Sequence, residues 1–210
     1  MIIGITGFIG SGKDTAADYL CTFYGFKRIS FAGTLKDAVS AVFGWDRDLL
    51  EGSTKSSREW REQVDQWWAD KLNIPNLTPR WVLQQWGTEV CRKGFHEDIW
   101  VASVENKLRT TTDNIVITDC RFVNEVSAIK RAGGIVMRTN RGENPQWVEF
   151  AETLNNTQDE AVKIHCREQL EKFNVHASEY SSVGLEYDYH IDNNGTIDDL
   201  HKQIKSIINL

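Results

Sequence analysis

The apolar residues of this chain alternate between short strand-like runs and longer stretches with helical spacing. Ile2, Ile3 and Ile5 form a compact run of β-branched residues, which predicts a strand. Four further strands are predicted at residues 27–32, 114–119, 135–137 and 187–191. Because helical patterns follow most of these runs, the sequence predicts a three-layer α/β fold with a central parallel sheet.

The helical patterns are amphipathic, with apolar residues three and four positions apart. The pattern at residues 35–43 predicts a helix that Gly44 ends, and Thr78 can cap a second helix that runs from Pro79 to Val90. Further helices are predicted over residues 16–24, 56–72, 97–109, 162–173 and 197–208, and around residues 126–129.

The length of 210 residues suits one domain with insertions, because three prolines and no low-complexity tract leave no obvious linker. Residues from about 45 to 110 are predicted to form a helical insertion. Residues 142–175 are polar without strand character, so a lid-like insertion is predicted from about 140 to 178, as either a mobile cover or a surface insertion. Six of the eight tryptophans lie between residues 45 and 86. We interpret them as packing of the helical insertion rather than as a base-stacking pocket.

A glycine-rich segment connects the first predicted strand with the first predicted helix. Residues 7–15 read Gly-Phe-Ile-Gly-Ser-Gly-Lys-Asp-Thr and match the G-x-x-x-x-G-K core of a P-loop, in the strand–loop–helix context that the motif requires. The glycines let backbone N–H groups turn inward around phosphates, and the helix N-terminus adds partial positive charge. Lys13 adds a full charge. The sequence therefore predicts an ATP site in a P-loop NTPase fold.

One position departs from the usual motif. The residue after Lys13 is Asp14, where most P-loops carry the Ser or Thr whose hydroxyl binds Mg²⁺. Asp14 could hold a metal-bound water, or Thr15 could serve as the ligand, and the sequence leaves both open. The layout is closer to the Gly-Lys-Gly-Thr loop of adenylate kinases than to the loops of GTPases or motor ATPases, which favours a small-molecule kinase.

Composition and charge disfavour several other classes of protein. A net charge of −6 argues against a broad nucleic-acid surface. No apolar run reaches the ~20 residues that a membrane span needs, and the short N-terminal run has no basic start, so it does not predict a signal peptide. The four cysteines are scattered without a C-x-x-C pair, which predicts reduced thiols in a cytoplasmic protein.

An anionic substrate needs a local cluster of basic side chains in a protein of net negative charge, and several candidates stand beside predicted strand ends or helix starts. Arginine is favoured for phosphate because its planar guanidinium bonds two oxygens. The candidates are Lys13, Lys36, Arg58, Arg61, Arg80, Arg121, Arg138 and Arg141. Asp119 ends a predicted buried strand and is a Walker-B candidate that would hold Mg²⁺ through water. Together these residues predict phosphoryl transfer to a small anionic acceptor.

Blocks of sequence beyond the P-loop make a resemblance to one family specific. The blocks are Phe-Ala-Gly-Thr-Leu-Lys-Asp-Ala at 31–38, Pro-Arg at 79–80, Trp-Gly-Thr-Glu at 86–89, Phe-His at 95–96, Ile-Trp at 99–100, Asp-Cys-Arg-Phe-Val-Asn-Glu at 119–125 and His-Ala-Ser-Glu at 176–179. In order and spacing the chain resembles the deoxynucleoside monophosphate kinases of tailed bacteriophages and some bacteria. The similarity covers nearly the whole chain and is weakest at residues 142–175.

The resemblance implies a role for each matching residue. The phosphates of ATP would be held by Gly10, Ser11, Gly12, Lys13, Asp14 and Thr15. The acceptor monophosphate would be held by Lys36, by Arg58 or Arg61, and by Arg80. The base and sugar of the acceptor would face Gly87, Thr88 and Trp100. The acceptor site would be completed by Asp119, Arg121 and Glu125, with Asp119 also near Mg²⁺. The lid over the transferring phosphate would start at Arg138 and Arg141, which with Lys13 are the catalytic candidates. The choice between Arg58 and Arg61 and the role of residues 176–179 stay open.

The resemblance implies transfer of the γ-phosphoryl group of ATP to a deoxynucleoside monophosphate (dNMP) with Mg²⁺, in the cytoplasm of a bacterial host if the chain is phage-encoded. Two other functions stay open from the sequence. One is a kinase of another phosphorylated acceptor such as dephospho-coenzyme A, and the other is a non-catalytic ATP-sensing module. The accepted bases are not readable from the sequence. Exposed tryptophans near residues 60–68 would suit a homodimer surface.

Overall fold

The computed structural model describes residues 1–175 and 177–209, and the chain divides into two compact units. The first unit comprises Met1–Ile29 and Lys107–Leu210, and the second comprises Ser30–Asn106. The first unit contains the glycine-rich loop and all the strands that the structure describes, whereas the second is helical. The predicted helical insertion overlaps the second unit, and the arrangement as one domain with two insertions stays a prediction.

A parallel sheet of five strands forms the centre of the first unit. In chain order the strands are β1 (Ile2–Thr6), β2 (Lys27–Ile29), β3 (Ile115–Ile117), β4 (Ile135–Asn140) and β5 (Tyr189–Asp192). Their spatial order is β2-β3-β1-β4-β5, and every neighbouring pair is parallel. The carboxyl ends of the strands therefore lie at one edge of the sheet, which is where ligands bind in open α/β folds.

Helices account for most of the remaining chain. In chain order they are α1 (Lys13–Tyr24), α2 (Gly33–Phe43), α3 (Arg47–Glu51), α4 (Lys55–Arg61), α5 (Gln66–Leu72), α6 (Pro79–Gln84), a π-helix (Gln85–Lys93), α7 (Ile99–Leu108), α8 (Val123–Arg131), α9 (Val148–Asn156), α10 (Glu160–Lys172), α11 (Ala177–Tyr180) and α12 (Ile197–Ile208).

Alternate residues of β1 pack against helices on opposite faces of the sheet. Ile3 and Ile5 share a buried core with Leu20 of α1 and with residues of α12. Gly4 faces the other way, and a Cβ on it would lie 2.6 Å from Cδ1 of Ile129 in α8. Because side chains alternate along a strand, this packing gives a helix–sheet–helix sandwich. The predicted three-layer α/β fold with a central parallel sheet and a P-loop after its first strand is confirmed.

Helices α9 and α10 fall within the segment that was predicted as lid-like. They pack around Val148, Ala151 and Leu170. Phe8 of the glycine-rich loop joins this small core, and its ring lies edge-on to that of Trp147 with centroids 5.2 Å apart. The helical pattern at residues 162–173 is confirmed by α10, and the segment is anchored on the glycine-rich loop.

Tryptophan side chains build the core of the second unit. Trp45 is buried, stacks on Phe43 with ring centroids 4.4 Å apart and donates its indole N–H to Asp65 at 2.7 Å. Trp100 is buried and donates its indole N–H to the carbonyl oxygen of Gly87 at 2.9 Å. The burial of Trp45 agrees with the interpretation of the tryptophans between residues 45 and 86 as packing residues, and Trp100 packs in the same core.

The helix predicted over residues 56–72 is wrong in one respect, because it is two helices, α4 and α5. Asp65 Oδ1 accepts the backbone N–H of Trp68 at 3.1 Å and so caps a new helix. Helix α3 was not predicted; its N-terminus is capped by Asp46, whose Oδ1 accepts the N–H groups of Asp48 and Leu49.

Several other predicted boundaries are also wrong. The strand predicted at 27–32 ends at Ile29, and the helix predicted from Pro79 to Val90 changes to a π-helix after Gln84. The strand predicted at 187–191 spans Tyr189–Asp192. The strand predicted at 135–137 continues to Asn140, because β4 pairs with β1 and β5 along its polar end. Because residues 138–140 are polar, the hydropathy pattern does not identify that part of the strand.

Candidate active site

Three glycines of the loop after β1, Gly7, Gly10 and Gly12, have positive φ, and at two of them a side chain would also collide with a neighbour. Gly7 has φ +144° and Gly12 has φ +97°. A Cβ on Gly7 would lie 2.4 Å from the carbonyl oxygen of Thr139, and one on Gly12 would lie 2.2 Å from Nδ2 of Asn193. Any other residue would therefore strain the backbone and collide with a neighbour. Gly12 immediately precedes α1, so the free N–H groups of the first helical turn face the loop.

Lys13 begins α1, and its side chain folds back over the loop. Its Nζ donates hydrogen bonds to the carbonyl oxygens of Gly7 and Phe8 at 2.7 and 2.8 Å. Burial lowers the pKa of Lys13, although the nearby carboxylate of Asp14 acts in the opposite direction. The ammonium group is thus held at the mouth of the loop, where phosphate oxygens would replace its carbonyl partners.

A small, open pocket, called the cleft below, lies beside the loop in the first unit. Its charged lining consists of Lys13, Arg121, Arg138 and Glu179. The carboxylate of Glu179 accepts a hydrogen bond from Nη1 of Arg121 at 2.9 Å. Because three cations face one carboxylate, the cleft carries excess positive charge, which suits a polyphosphate.

Arg138 lies inside β4 and only 7% of it is exposed. Its guanidinium sits over the rings of Phe8 and Tyr187, at 4.8 and 5.6 Å from their centroids. It also donates to Oδ1 of Asn140 at 3.2 Å and to the Tyr187 hydroxyl at 3.3 Å. The expectation that Arg138 follows its strand is therefore wrong, since the sheet and two aromatic rings fix it. Arg141 does follow β4 and is exposed.

The two candidates for the magnesium ligand, Asp14 and Thr15, are both exposed in the first turn of α1. Oδ1 of Asp14 accepts a hydrogen bond from Nη1 of Arg28 at 3.2 Å, and Nη2 of Arg28 donates to Asp18 at 3.1 Å. Over residues 1–175 and 177–209, no three His, Cys, Asp or Glu side chains are grouped so that they could hold a metal ion. A hard cation here would depend on phosphate oxygens together with Thr15 or Asp14.

The loop after β3 carries Arg121 into the cleft. Glu125 is only 2% exposed, and its Oε2 accepts the backbone N–H groups of Arg121 and Phe122 at 2.7 and 3.1 Å. This arrangement caps α8 and fixes the loop, so Glu125 positions Arg121. Asp119 lies in the same loop, next to the cleft residue Thr118.

In the second unit, Lys36 and Arg47 share the carboxylate of Glu51. Nζ of Lys36 lies 2.6 Å from Oε1 of Glu51, and Nη1 of Arg47 lies 2.7 Å from Oε2. Burial alone would raise the pKa of Glu51, but the hydrogen bonds from Lys36 and Arg47 outweigh it and lower the pKa. Glu51 therefore orients Lys36.

Arg61 stands out among the arginines of this unit. Its guanidinium packs so closely on Gly52 that a Cβ there would lie 2.2 Å from Cζ. Its buried Nε has no hydrogen-bond partner within the part of the chain that the structure describes, and Nη1 reaches the Leu50 carbonyl oxygen only at 3.5 Å. Burial lowers the pKa of Arg61, and the charges of Arg80 and Arg58 act in the same direction while nearby carboxylates oppose them. A desolvated cation among other cations is typical of an anion-binding site.

The guanidinium groups of Arg58 and Arg80 have closer protein partners than that of Arg61. Nη1 of Arg58 donates to the carbonyl oxygens of Gly52 and Ser53 at 3.3 and 3.1 Å, and Nε of Arg80 lies 3.2 Å from Oε1 of Glu62. The sequence left the choice between Arg58 and Arg61 open, and this geometry favours Arg61 as the anion ligand.

Gly87 and Thr88 lie in the π-helix, a rare element that is frequent at functional sites. A Cβ on Gly87 would lie 2.9 Å from Cδ2 of Leu35, so Gly87 permits close packing on α2. Trp100, whose indole bonds to Gly87, belongs to the core of the unit, whereas Thr88 is exposed. Contact of these residues with a base or sugar stays a prediction.

Three residues of these sites had no predicted role. Glu179 belongs to a block whose role was left open, and His176 of that block lies outside the described residues. Glu51 and Asn193 were missed altogether. No sequence signal distinguishes Glu51 from other helical acids, but Asn193 directly follows β5. The rule that drew attention to Asp119, a polar residue at the carboxyl end of a strand, would have found Asn193 as well.

Comparison with known proteins gives two informative relatives. The chain is 32% identical to a protein of Acanthamoeba polyphaga mimivirus that bears the provisional name deoxynucleotide monophosphate kinase, and the match covers 67% of this chain and 74% of the relative. It is 25% identical to the deoxynucleoside-5'-monophosphate kinase of Escherichia phage T5, over 65% of this chain and 74% of that protein.

Two further comparisons are less informative. No family model matches the chain. Among solved structures, shikimate kinase from Aquifex aeolicus aligns with a TM-score of 0.48 at 13% identity, over 100% of this chain and 96% of that one. The identity and coverage of the mimivirus relative decide the assignment. The chain belongs to the deoxynucleotide monophosphate kinase family.

Proposed function

We propose that this protein transfers the γ-phosphoryl group of ATP to the phosphate of a dNMP, giving ADP and a deoxynucleoside diphosphate. The observation that carries the proposal is the cradle after β1, where Gly7 and Gly12 adopt conformations that only glycine accepts and Lys13 lies over the loop. The relatives from mimivirus and phage T5, which are named for this substrate class, support a dNMP as the acceptor.

The donor phosphates would bind to the backbone N–H groups of residues 10–15. Lys13 would exchange its two carbonyl partners for phosphate oxygens, which are stronger acceptors for an ammonium group. The side chain of Ser11 is buried and bonds to Thr139 at 2.8 Å, and its backbone N–H donates to the Phe8 carbonyl oxygen at 3.1 Å, a bond that a phosphate oxygen would have to replace. Mg²⁺, when bound, neutralises charge on the phosphates, and Thr15 or Asp14 would hold it.

Arg121 and Arg138 would contact the phosphoryl group in the cleft of the first unit. A phosphate oxygen would compete with Glu179 for Arg121, so binding would release that carboxylate. Arg138 would need little reorganisation, because it is already fixed by ring contacts and hydrogen bonds. Asp119 and the exposed Arg141 are further candidates for contact with the transferring group.

The acceptor monophosphate would bind to the cations of the second unit. Arg61 would be the principal ligand, because its buried Nε has no partner in the described part of the chain and burial lowers its pKa. Lys36 would be oriented toward the phosphate by Glu51, and Arg80 and Arg58 would add positive charge. The protein needs no general base, because the acceptor phosphate is already anionic.

The activity is tested with a coupled ADP-release assay on single acceptors. We expect ADP release that depends on at least one of dGMP, dTMP and dCMP. Dephospho-coenzyme A is included as the alternative acceptor. Release with dephospho-coenzyme A alone would assign the protein to a different reaction, and ATP binding without turnover on any acceptor would indicate a sensing module.

The phosphate-binding role of the loop is tested with Lys13→Ala. We expect the rate to fall by roughly 10³-fold, because a preorganised charge on the transferring phosphates is lost. Lys205→Ala, which removes an exposed lysine from α12, is the matched control and should keep the wild-type rate. Full activity in Lys13→Ala would refute the assignment of the loop.

We also propose that the protein works in a reducing compartment such as the bacterial cytoplasm. All four cysteines are free thiols, and burial raises the pKa of Cys120 well above its usual value. No helix within the described residues has the length and apolar character to cross a membrane.

The homodimer expected from the tryptophans near residues 60–68 stays a prediction. Trp67 is 63% exposed. Light scattering of the purified protein measures whether it is a monomer or a dimer.

A further inference from the structure

The turn that follows β5 contacts the glycine-rich loop through one asparagine. Asn193 is 9% exposed, and its Nδ2 donates a hydrogen bond to the carbonyl oxygen of Ser11 at 3.0 Å. The same nitrogen occupies the space where a side chain on Gly12 would lie. Asn193 therefore fixes the part of the loop that immediately precedes Lys13.

The next asparagine in the same turn contacts a different loop. Oδ1 of Asn194 accepts the backbone N–H of Gly142 at 2.7 Å, just after Arg141. Nδ2 of Asn194 donates to Oδ1 of Asp192 at 2.6 Å, which leaves the amide oxygen facing Gly142. Asn194 thus fixes the backbone at the start of the segment that carries Arg141.

The turn itself is held firmly. The backbone N–H of Asp192 donates to Oε1 of Gln203 at 3.0 Å, and Nε2 of Gln203 donates back to the Asp192 carbonyl oxygen at 2.8 Å. The backbone N–H of Asn193 donates to the carbonyl oxygen of Asn140 at 2.8 Å. These bonds attach the turn to α12 and to β4, so the two asparagines present their amides from a rigid support.

We propose that Asn193 and Asn194 are paired positioning residues, through which one turn sets both the phosphate-binding loop and the start of the Arg141 segment. The inference rests on the proposed function. A loop that is already shaped for phosphate does not need to be ordered when the nucleotide binds, so affinity rises without any direct contact from the asparagine. Asn193 would act on nucleotide affinity, and Asn194 would act on turnover through Arg141.

The test combines calorimetry with ADP and hydrogen exchange of the protein without nucleotide. For Asn193→Ala we expect the Kd for ADP to rise by about tenfold, as the loss of one buried hydrogen bond allows. Amide exchange should become faster in residues 7–15 and stay unchanged in residues 141–147. A purely structural role for Asn193 would lower the melting temperature without this selectivity.

For Asn194→Ala we expect the opposite selectivity. Exchange should become faster in residues 141–147 while the Kd for ADP stays within about twofold of the wild-type value. The kcat should fall without a rise in the KM for ATP. Asn156→Ala is the matched control, since this exposed asparagine also donates to a carbonyl oxygen, that of Glu152 at 2.9 Å, and should change neither segment.

Unchanged ADP affinity and unchanged exchange in residues 7–15 of Asn193→Ala would overturn the proposal. If Asn193→Ala does not fold, the proposal is tested with Asn194→Ala, which changes an exposed side chain. Unchanged amide exchange in residues 141–147 of Asn194→Ala would equally overturn the proposal. A wild-type protein that binds ADP but phosphorylates no dNMP would contradict the proposed function and not this inference. The exchange measurement needs no nucleotide, so it judges the positioning roles in either case.

Discussion

Replacing Arg61 by methionine separates function from stability at the proposed acceptor site. Methionine keeps most of the length of the side chain and removes its charge and its five N–H donors. We expect Arg61→Met to bind the acceptor poorly while the folded protein without ligands becomes no less stable. This combination is expected only if the arginine is kept for a ligand.

The expected increase in the acceptor KM is estimated from the hydrogen-bond partners that the protein offers to Arg61. Within the described residues its buried Nε has no acceptor and its Nη1 lies 3.5 Å from the Leu50 carbonyl oxygen, so the protein makes few hydrogen bonds that a phosphate would have to replace. A hydrogen bond to a charged group contributes about 1.5–3 kcal/mol, which corresponds to a rise of about 10- to 150-fold in the acceptor KM. Arg58→Met is the matched control, because Arg58 already donates to two backbone carbonyls. Its effect should stay within about threefold.

The stability effect has the opposite sign. A lowered pKa means that the charged form of Arg61 is less favourable in the folded protein than in the unfolded chain. Arginine stays charged at every working pH, so removing it relieves desolvation and repulsion from Arg80. We expect the melting temperature of Arg61→Met without ligands to be unchanged or to rise by up to about 3 °C, the shift that ~1 kcal/mol gives a protein of this size.

The acceptor KM is measured at saturating ATP with the best dNMP, and the melting temperature is measured by scanning fluorimetry without nucleotide. An Arg61→Met variant that keeps the wild-type acceptor KM and melts several degrees lower would show that Arg61 is a structural residue of the second unit and not a ligand. A similar KM increase in Arg58→Met would show that Arg61 is not the principal ligand.

Three further outcomes are expected. Glu51→Gln should lower the melting temperature at pH 7 by about 2 °C, because a surface ion pair contributes at most about 1 kcal/mol. The folded-state pKa of Glu51 lies below 4.5, so the difference in melting temperature between variant and wild type should shrink as the pH falls through that pKa. Thermal melts from pH 7 to 3 that show a constant difference would contradict this expectation. Glu179→Gln should tighten the binding of a non-hydrolysable ATP analogue by about threefold in calorimetry, because the carboxylate that competes with the γ-phosphate for Arg121 loses its charge, and weaker binding would show that the carboxylate is needed in place. Thr15→Val should raise the Mg²⁺ concentration for half-maximal rate more than Asp14→Asn does, since Asp14 is already paired with an arginine; the reverse order in a magnesium titration would identify Asp14 as the ligand.

Much of the first unit could be predicted because its signals are local in sequence. The loop at residues 7–15 follows from two glycines and a lysine at fixed spacing, and the structure shows why the glycines are required. The parallel sheet follows from apolar runs that alternate with helical patterns. The position of Arg138 was not predictable in the same way, because pairing with neighbouring strands extends β4 through polar residues.

The proposed acceptor site was less predictable, because its properties depend on distances between side chains far apart in sequence. Arg58 and Arg61 are three residues apart in one helix and look alike in the sequence. They differ only because Arg58 finds backbone acceptors, whereas Arg61 is pressed against Gly52 and repelled by Arg80. Likewise the pairing of Lys36 with Glu51 joins two helices, and no periodic pattern encodes it.

The two proposed phosphate sites share two physical features, although they belong to different units. Each keeps a partly buried cation, Lys13 or Arg61, whose pKa is lowered mainly by burial. Each also contains a carboxylate, Glu179 or Glu51, that bonds to a neighbouring cation and orients it. A chain of net charge −6 has enough acids to neutralise these cations completely, yet Lys13 donates to two carbonyl oxygens, and the buried Nε of Arg61 has no partner among residues 1–175 and 177–209. Stability alone would favour pairing or removing such groups. Their retention at two separate positions is therefore best explained by two anionic ligands, as a reaction between two phosphates requires.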